Sequence, residues 1–327
     1  MLAAIAVTAA IAALAAAAVA PASGDEISAP PPVAASVTAT AKSYQIPPKP
    51  SHPEQLPPLP QSDHVAVDLV LLDTTVQISP DKRYRAWTFN GSVPGPVIHA
   101  RVGDTIDVML TNKGTIGHSI DFHAALAPPN VAYQTIMPGQ TLHFSWVAKY
   151  PGAFLYHCGT MPVLAHISYG MYGAIIVEPR EPLPPAQTFV LVQSEFYTTP
   201  VKGTKDLYDG DYVKMQNSRA DVVTFNGVGM QYVAKPLSIE VGKPVRVYVV
   251  DAGPSHISAF HVVGTLFSRV LIDGNPQNAL YGVQTANIPP GGGAVVEFTV
   301  YQAGRYAFVT HAFGDADLGA MGIFAAR

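Results

Sequence analysis

The chain repeats itself. AWTFNG at 86–91 returns as VVTFNG at 222–227, and VGDTIDVMLTN at 102–112 returns as VGKPVRVYVVD at 241–251. The longer segment IMPGQTLHFSWVAKYPGAFLYHC, ending at Cys158, is answered by IPPGGGAVVEFTVYQAGRYAFVTH, ending at His311. A repeat of this length implies two copies of one structural unit. Within each copy, runs rich in Val, Ile, Thr, Tyr and Phe are bounded by Gly, Pro and Asn, which is the signature of short strands joined by turns. The 30 prolines disfavour a helical protein. The expectation is an all-β chain of two tandem β-sandwiches with Greek-key connections.

The first sandwich is expected over 64–180 and the second over 181–327, with the proline-rich joint REPLPPAQ between them. The prolines of SVPGPVIHA confine that segment to an edge or bulged strand. Residues 25–63 are rich in Pro and Ala and read as an extended tether with no core of its own, so the folded body is expected to start near His64. Residues 1–24 are Ala-rich and carry no charge before Asp25. They read as a secretory signal with small residues around Val19–Gly24, or as a membrane anchor through 1–20. Either reading places the rest of the chain in a periplasmic or other extracytoplasmic space. A net charge of −4 without a basic cluster gives no reason to expect nucleic acid.

Cys158 is the only cysteine, so no intramolecular disulfide exists. A lone cysteine in an apolar strand is usually a buried, inert packing residue. Here it sits in HCGTMPVLAHISYGM, with His166 and Met171 following on one loop. A thiolate, an imidazole and a thioether need only a second imidazole to make the His₂Cys site with a weak axial Met that binds copper in electron-transfer proteins. The segment HSIDFHA supplies candidates in His118 and His123, with Asp121 between them. Side chains alternate along a strand. Alternation puts His118 with Cys158 on one side, and Asp121, His123 and His157 on the other. If His166 and Met171 fold back from the loop, the first set is His118, Cys158, His166 and Met171. The second has two histidines and a carboxylate, and is short of a ligand. The repeat offers His311, at the matching strand end of the second sandwich. Those two strand ends should lie far apart within one chain, so His311 is expected to come from a neighbouring subunit. Head-to-tail contacts of this kind close into rings, of which a trimer is the natural small one.

At this point the chain resembles the copper-containing nitrite reductases, two-domain cupredoxin enzymes of the multicopper oxidase superfamily. The resemblance spans 64–327 and rests on HSIDFHA, the YHC…H…M loop, FHVVG at 260–264 and the closing YAFVTH. It implies one-electron reduction of nitrite to nitric oxide by a homotrimer with two coppers per subunit. Type 1 copper would be held by His118, Cys158, His166 and Met171. Type 2 copper would be held by His123, His157 and the neighbouring subunit's residue matching His311. It also implies that Asp121 and His261 are an acid–base pair, that Val263 crowds the substrate side, and that Thr285 orients His261. A small cupredoxin or a cytochrome c would donate the electron. Two departures stand out: the Cys158-to-His166 spacing is one residue shorter than in the best-known members, and TLFSRVLIDGN after FHVVG differs from them.

Two other functions compete with this one. A laccase-like multicopper oxidase draws its oxygen-reducing cluster from His-x-His pairs. None of the 11 histidines here has a partner two positions away, and the cysteine reads HCG rather than HCH. An electron carrier or copper-binding cupredoxin would need only the first set, and leaves His123, His157, His261 and His311 unexplained. His52, His64, His99 and His143 read as surface or strand residues, Met161 as packing, and His256 as a bystander with a small chance of supporting His261.

Overall fold

The computed structural model describes residues 31–39 and 53–327; the signal-or-anchor segment lies outside them. Among the described residues, no helix is long and apolar enough to cross a membrane.

Each half is a pair of facing sheets. In the first half one sheet runs, in spatial order, through Ala35–Ala39, Gln140–Val147, Thr105–Asn112, His64–Ser79 and Lys82–Phe89. The facing sheet orders Ile98–Arg101, Tyr172–Glu178, Gly152–His157 and Asp121–Phe122, so the proline-flanked segment forms an edge strand as its sequence requires. The long strand from His64 shows why. Val65, Val67, Leu69 and Leu71 alternate inward and are buried in one apolar core with Phe122, Phe144 and Trp146. The second half repeats the arrangement around Val247, Val249, Phe260, Phe298 and Phe308. A third apolar cluster, including Ile78, Leu155, Val192, Phe196 and Val250, joins the two halves. Each such fully buried side chain stabilises the fold by about 1.5–3 kcal/mol in transfer free energy.

The repeat is structural down to single residues. Asn90 and Asn226 both adopt left-handed backbone conformations, with φ of 57° and 58°. The Asn90 side chain accepts from the Val70 N–H at 2.6 Å and donates to the Asp68 carbonyl at 3.1 Å. Asn226 makes the same pair with the Val192 N–H and the Val190 carbonyl, at 2.7 and 2.9 Å. Asn tolerates positive φ better than most residues and carries both a donor and an acceptor.

One expectation about organisation needs correction. The described residues before His64 do not simply trail as a tether. Ala35–Ala39 pairs antiparallel with Gln140–Val147, covering a sheet edge that would otherwise leave backbone groups unpaired. Residues near 53–60 are strapped down: the Val190 N–H donates to the Glu54 carbonyl at 2.8 Å, and His99 Nδ1 bonds the Pro57 carbonyl at 2.6 Å. Leu56 packs on the cluster between the halves. The second half also lends a hairpin, Thr198–Pro200 and Leu207–Gly210, to the first sheet. Arg83 fixes it with two bonds of 2.8 Å to the Asp206 carboxylate.

Candidate copper centres

The strand Gly152–His157 delivers both clusters, because His157 and Cys158 are successive residues facing opposite ways. On one side, Cys158 Sγ lies 3.2 Å from His166 Nδ1 and 4.0 Å from His118 Nδ1. The two Nδ1 atoms are 3.2 Å apart. All three side chains are buried. His166 sits on the short helix Val163–Ser168, and Met171 opens the next stretch. The buried Met171 ties its neighbours together: its carbonyl accepts from the Cys158 N–H at 3.0 Å, and its N–H donates to the His166 carbonyl at 3.1 Å. His118 does not belong to one continuous strand with His123, since the strand there is only Asp121–Phe122. It is held instead by a two-way backbone bridge to Ile136, at 3.0 and 2.8 Å.

Burial pushes His118 and His166 down to about 4, so both imidazoles are neutral at pH 7 and able to ligate. The Cys158 thiol is pushed up by burial, opposed by hydrogen bonds from the Ser119 and Thr160 backbone N–H groups. A bound metal reverses that, because a coordinating thiol is deprotonated outright. Trp87 closes the cluster, its ring 4.8 Å from that of His166 and stacked at 4.1 Å on Tyr169.

On the other side, Asp121, His123 and His157 bring ligand atoms within 4.8 Å of one another. Asp121 stands directly across from His157 in the strand pairing. His157 Nδ1 donates to the Cys158 carbonyl at 2.9 Å, and His123 Nδ1 to the Gly291 carbonyl at 3.0 Å. A carbonyl can only accept, so both Nδ1 atoms carry the proton. The two Nε2 atoms therefore face each other with bare lone pairs at 3.0 Å. That contact is repulsive unless a shared proton or a metal cation lies between them, and carbonyl-backed imidazoles are the usual form of metal-ligating histidine. Burial lowers the His157 pKa and keeps it neutral. Gly291 is needed where it stands: its φ is +82°, and an added Cβ would meet His123 Cε1 at 3.2 Å.

His261 and His311 lie together on the second half, their rings 5.6 Å apart. The strand Ser258–Val262 carries His261, and the His311 N–H donates to the Ala259 carbonyl at 2.7 Å. His311 is exposed and stands outside the cluster of Asp121, His123 and His157 formed by the described residues of one chain. Val263, expected on the substrate side, is about half exposed at 49%. His261 is oriented by the Gln284 carbonyl, 2.6 Å from its Nδ1, rather than by the Thr285 side chain. Met161 is 79% exposed and is not a packing residue. His256 is no bystander: its Nδ1 is 2.8 Å from the Asp315 carboxylate, and its Nε2 is 2.9 Å from the Ser218 carbonyl.

The copper-containing nitrite reductase of Neisseria gonorrhoeae is 39% identical to this chain over 281 residues, covering 83% of this chain and 71% of the relative. The chain belongs to the copper-containing nitrite reductase family. Its fold agrees with solved structures of that family. The copper nitrite reductase of Nitrosomonas europaea matches with a TM-score of 0.75 at 35% identity, covering 81% of this chain and 94% of that one. The enzyme of Thermus scotoductus SA-01 matches with a TM-score of 0.75 at 31% identity, covering 81% of this chain and 62% of that one. Residues 73–182 match the multicopper oxidase family model. As a member of the nitrite reductase family the chain is a copper oxidoreductase, and both donor sets suit that metal: Cys, His and His for one cluster, imidazole for the other.

The sequence pointed to the ligand types but not to their supports. The Gly291 and Gln284 carbonyls are backbone groups, invisible in a side-chain motif. The run PPGGG was a cue that backbone comes close to something there. Ser119 follows His118 directly and Thr160 lies two residues after Cys158, yet no spacing rule marks them.

Proposed function

We propose that this chain reduces nitrite to nitric oxide, taking one electron and two protons and releasing water. The observation that carries the reading is the single peptide link between His157 and Cys158, which joins two opposed donor sets. His118, Cys158, His166 and Met171 would hold type 1 copper. His123, His157 and His311 of a neighbouring subunit would hold type 2 copper, in a homotrimer with two coppers per subunit. When bound, type 1 copper would store an electron from a small donor protein, a cupredoxin or a cytochrome c, and type 2 copper would bind nitrite and pass the electron to it.

The protein's own groups do the rest. Cys158 and His157 couple the two sets through bonds. Asp121, beside the second set, is placed to hold a proton at its carboxylate. His261 has its Nδ1 committed to the Gln284 carbonyl, which leaves Nε2 to exchange a proton with substrate. Proton transfer of this kind contributes about 10²–10⁴-fold to rate. Export to the periplasm, with residues 1–24 as signal or anchor, is part of the same reading; the apolar, charge-free leader supports it.

His261→Ala tests the acid–base role. The expected result is a loss of turnover of about 10²–10⁴-fold with copper content unchanged. Full activity with both coppers present would refute it. Subunit sharing has its own test: mixing His123→Ala chains with His311→Ala chains should restore activity that neither has alone.

A further inference from the structure

Cys158 Sγ is served by a line of hydroxyl groups that the nitrite chemistry does not require. The Ser119 N–H donates to Sγ at 3.3 Å, and Ser119 Oγ stands 4.0 Å from the same sulfur. Ser119 Oγ accepts from the Gly159 N–H at 3.1 Å and from the Thr160 hydroxyl at 3.1 Å. Those two bonds occupy both lone pairs of the Ser119 oxygen, so its own proton is free to turn to the sulfur. Thr160 spends its proton on Ser119. Thr135, 2.9 Å away, must therefore donate to Thr160. The donors run one way, from exposed Thr135 through Thr160 and fully buried Ser119 to Cys158. Hydrogen bonds aligned in this sense polarise one another.

We infer that Ser119, backed by Thr160 and Thr135, is a positioning residue that sets the redox poise of the copper held by Cys158. The inference rests on the assignment of that copper to His118, Cys158 and His166. A hydrogen bond to a thiolate stabilises charge on the sulfur and weakens its donation to the metal. The reduced metal is then favoured, and the reduction potential rises. The same bonds pin Gly159 and Thr160, just after one ligand, to Ser119, just after another. The ligands are thereby kept in one arrangement through both oxidation states.

The test is a redox titration of the full-length, copper-loaded protein, followed by its thiolate–copper absorption. Ser119→Ala should lower the midpoint potential, making reduction about tenfold less favourable, the scale of one lost hydrogen bond to a charged group, and Thr160→Val should lower it by less, since it removes only the bond that backs Ser119. Thr160→Ser, which keeps the hydroxyl, should match wild type. The double variant should fall no further than Ser119→Ala, because one chain of bonds is cut in both. An intact absorption band with unchanged potential in both hydroxyl-deleting variants would overturn the inference. If Ser119→Ala fails to hold copper, Thr160→Val decides, since Ser119 remains in place. Wild-type protein without a thiolate–copper band would defeat the copper assignment itself. A band without nitric oxide production would defeat only the nitrite reading.

Discussion

His123 and His157 face each other Nε2 to Nε2 at 3.0 Å, each with its Nδ1 proton tied to a carbonyl oxygen. The pair has the geometry of a metal clamp whose two jaws come from neighbouring strand ends. Its back support comes from the other half of the chain, through Gly291. His123→Ala should remove one of two coppers per chain while leaving the thiolate–copper absorption in place. Copper analysis beside an absorption spectrum checks this. Loss of both signals together would mean the two clusters are not independent.

The first cluster should make the metal-free protein acid-sensitive. His118 and His166 are held at about 4 by burial, against 6.5 when unfolded. The unfolded chain therefore binds more protons between those values. Stability from these groups is complete above pH 6.5 and is lost as pH falls towards 4. Urea midpoints of copper-free protein should drop across that window, and a His118→Phe, His166→Phe double variant should drop less.

His256 should act with the opposite sign. The Asp315 carboxylate raises its pKa to about 9, from 6.5 in the unfolded chain. Its contribution is complete below pH 6.5 and is lost as pH rises through about 9. His256→Gln should flatten the fall in unfolding midpoint between pH 7 and pH 10. An unchanged alkaline profile would count against a charged His256.

The two asparagines of the repeat predict comparable penalties, with Asn226 also losing its bond to the Tyr232 hydroxyl. Asn90→Ala and Asn226→Ala each strand a buried backbone N–H, of Val70 and Val192, and each should cost about 1–3 kcal/mol. Equilibrium unfolding measures the loss. The thiolate–copper band should stay unchanged, because neither side chain bonds a ligand residue.

Much of this protein was legible because strand chemistry is local. Alternation, turn residues and the repeat located the sandwiches, and the HC…H…M loop named the first cluster. His118 joined that cluster as expected, although by a backbone bridge to Ile136 rather than along one strand with His123. The supports were harder to read. The Gly291 carbonyl, 168 residues from His123 in sequence, arrives through packing of the two halves. The Pro-rich composition of 25–63 suggests a tether, because proline lacks an N–H donor for a sheet ladder. Yet its carbonyls still accept, as Pro57 does from His99.

Nitric oxide release measured at an electrode tests the central claim most directly. Copper-loaded protein would be supplied anaerobically with nitrite and a reduced dye. The account predicts steady nitric oxide from protein holding two coppers per chain, and none from His157→Ala. Protein with both coppers and an intact thiolate–copper band that makes no nitric oxide would contradict it.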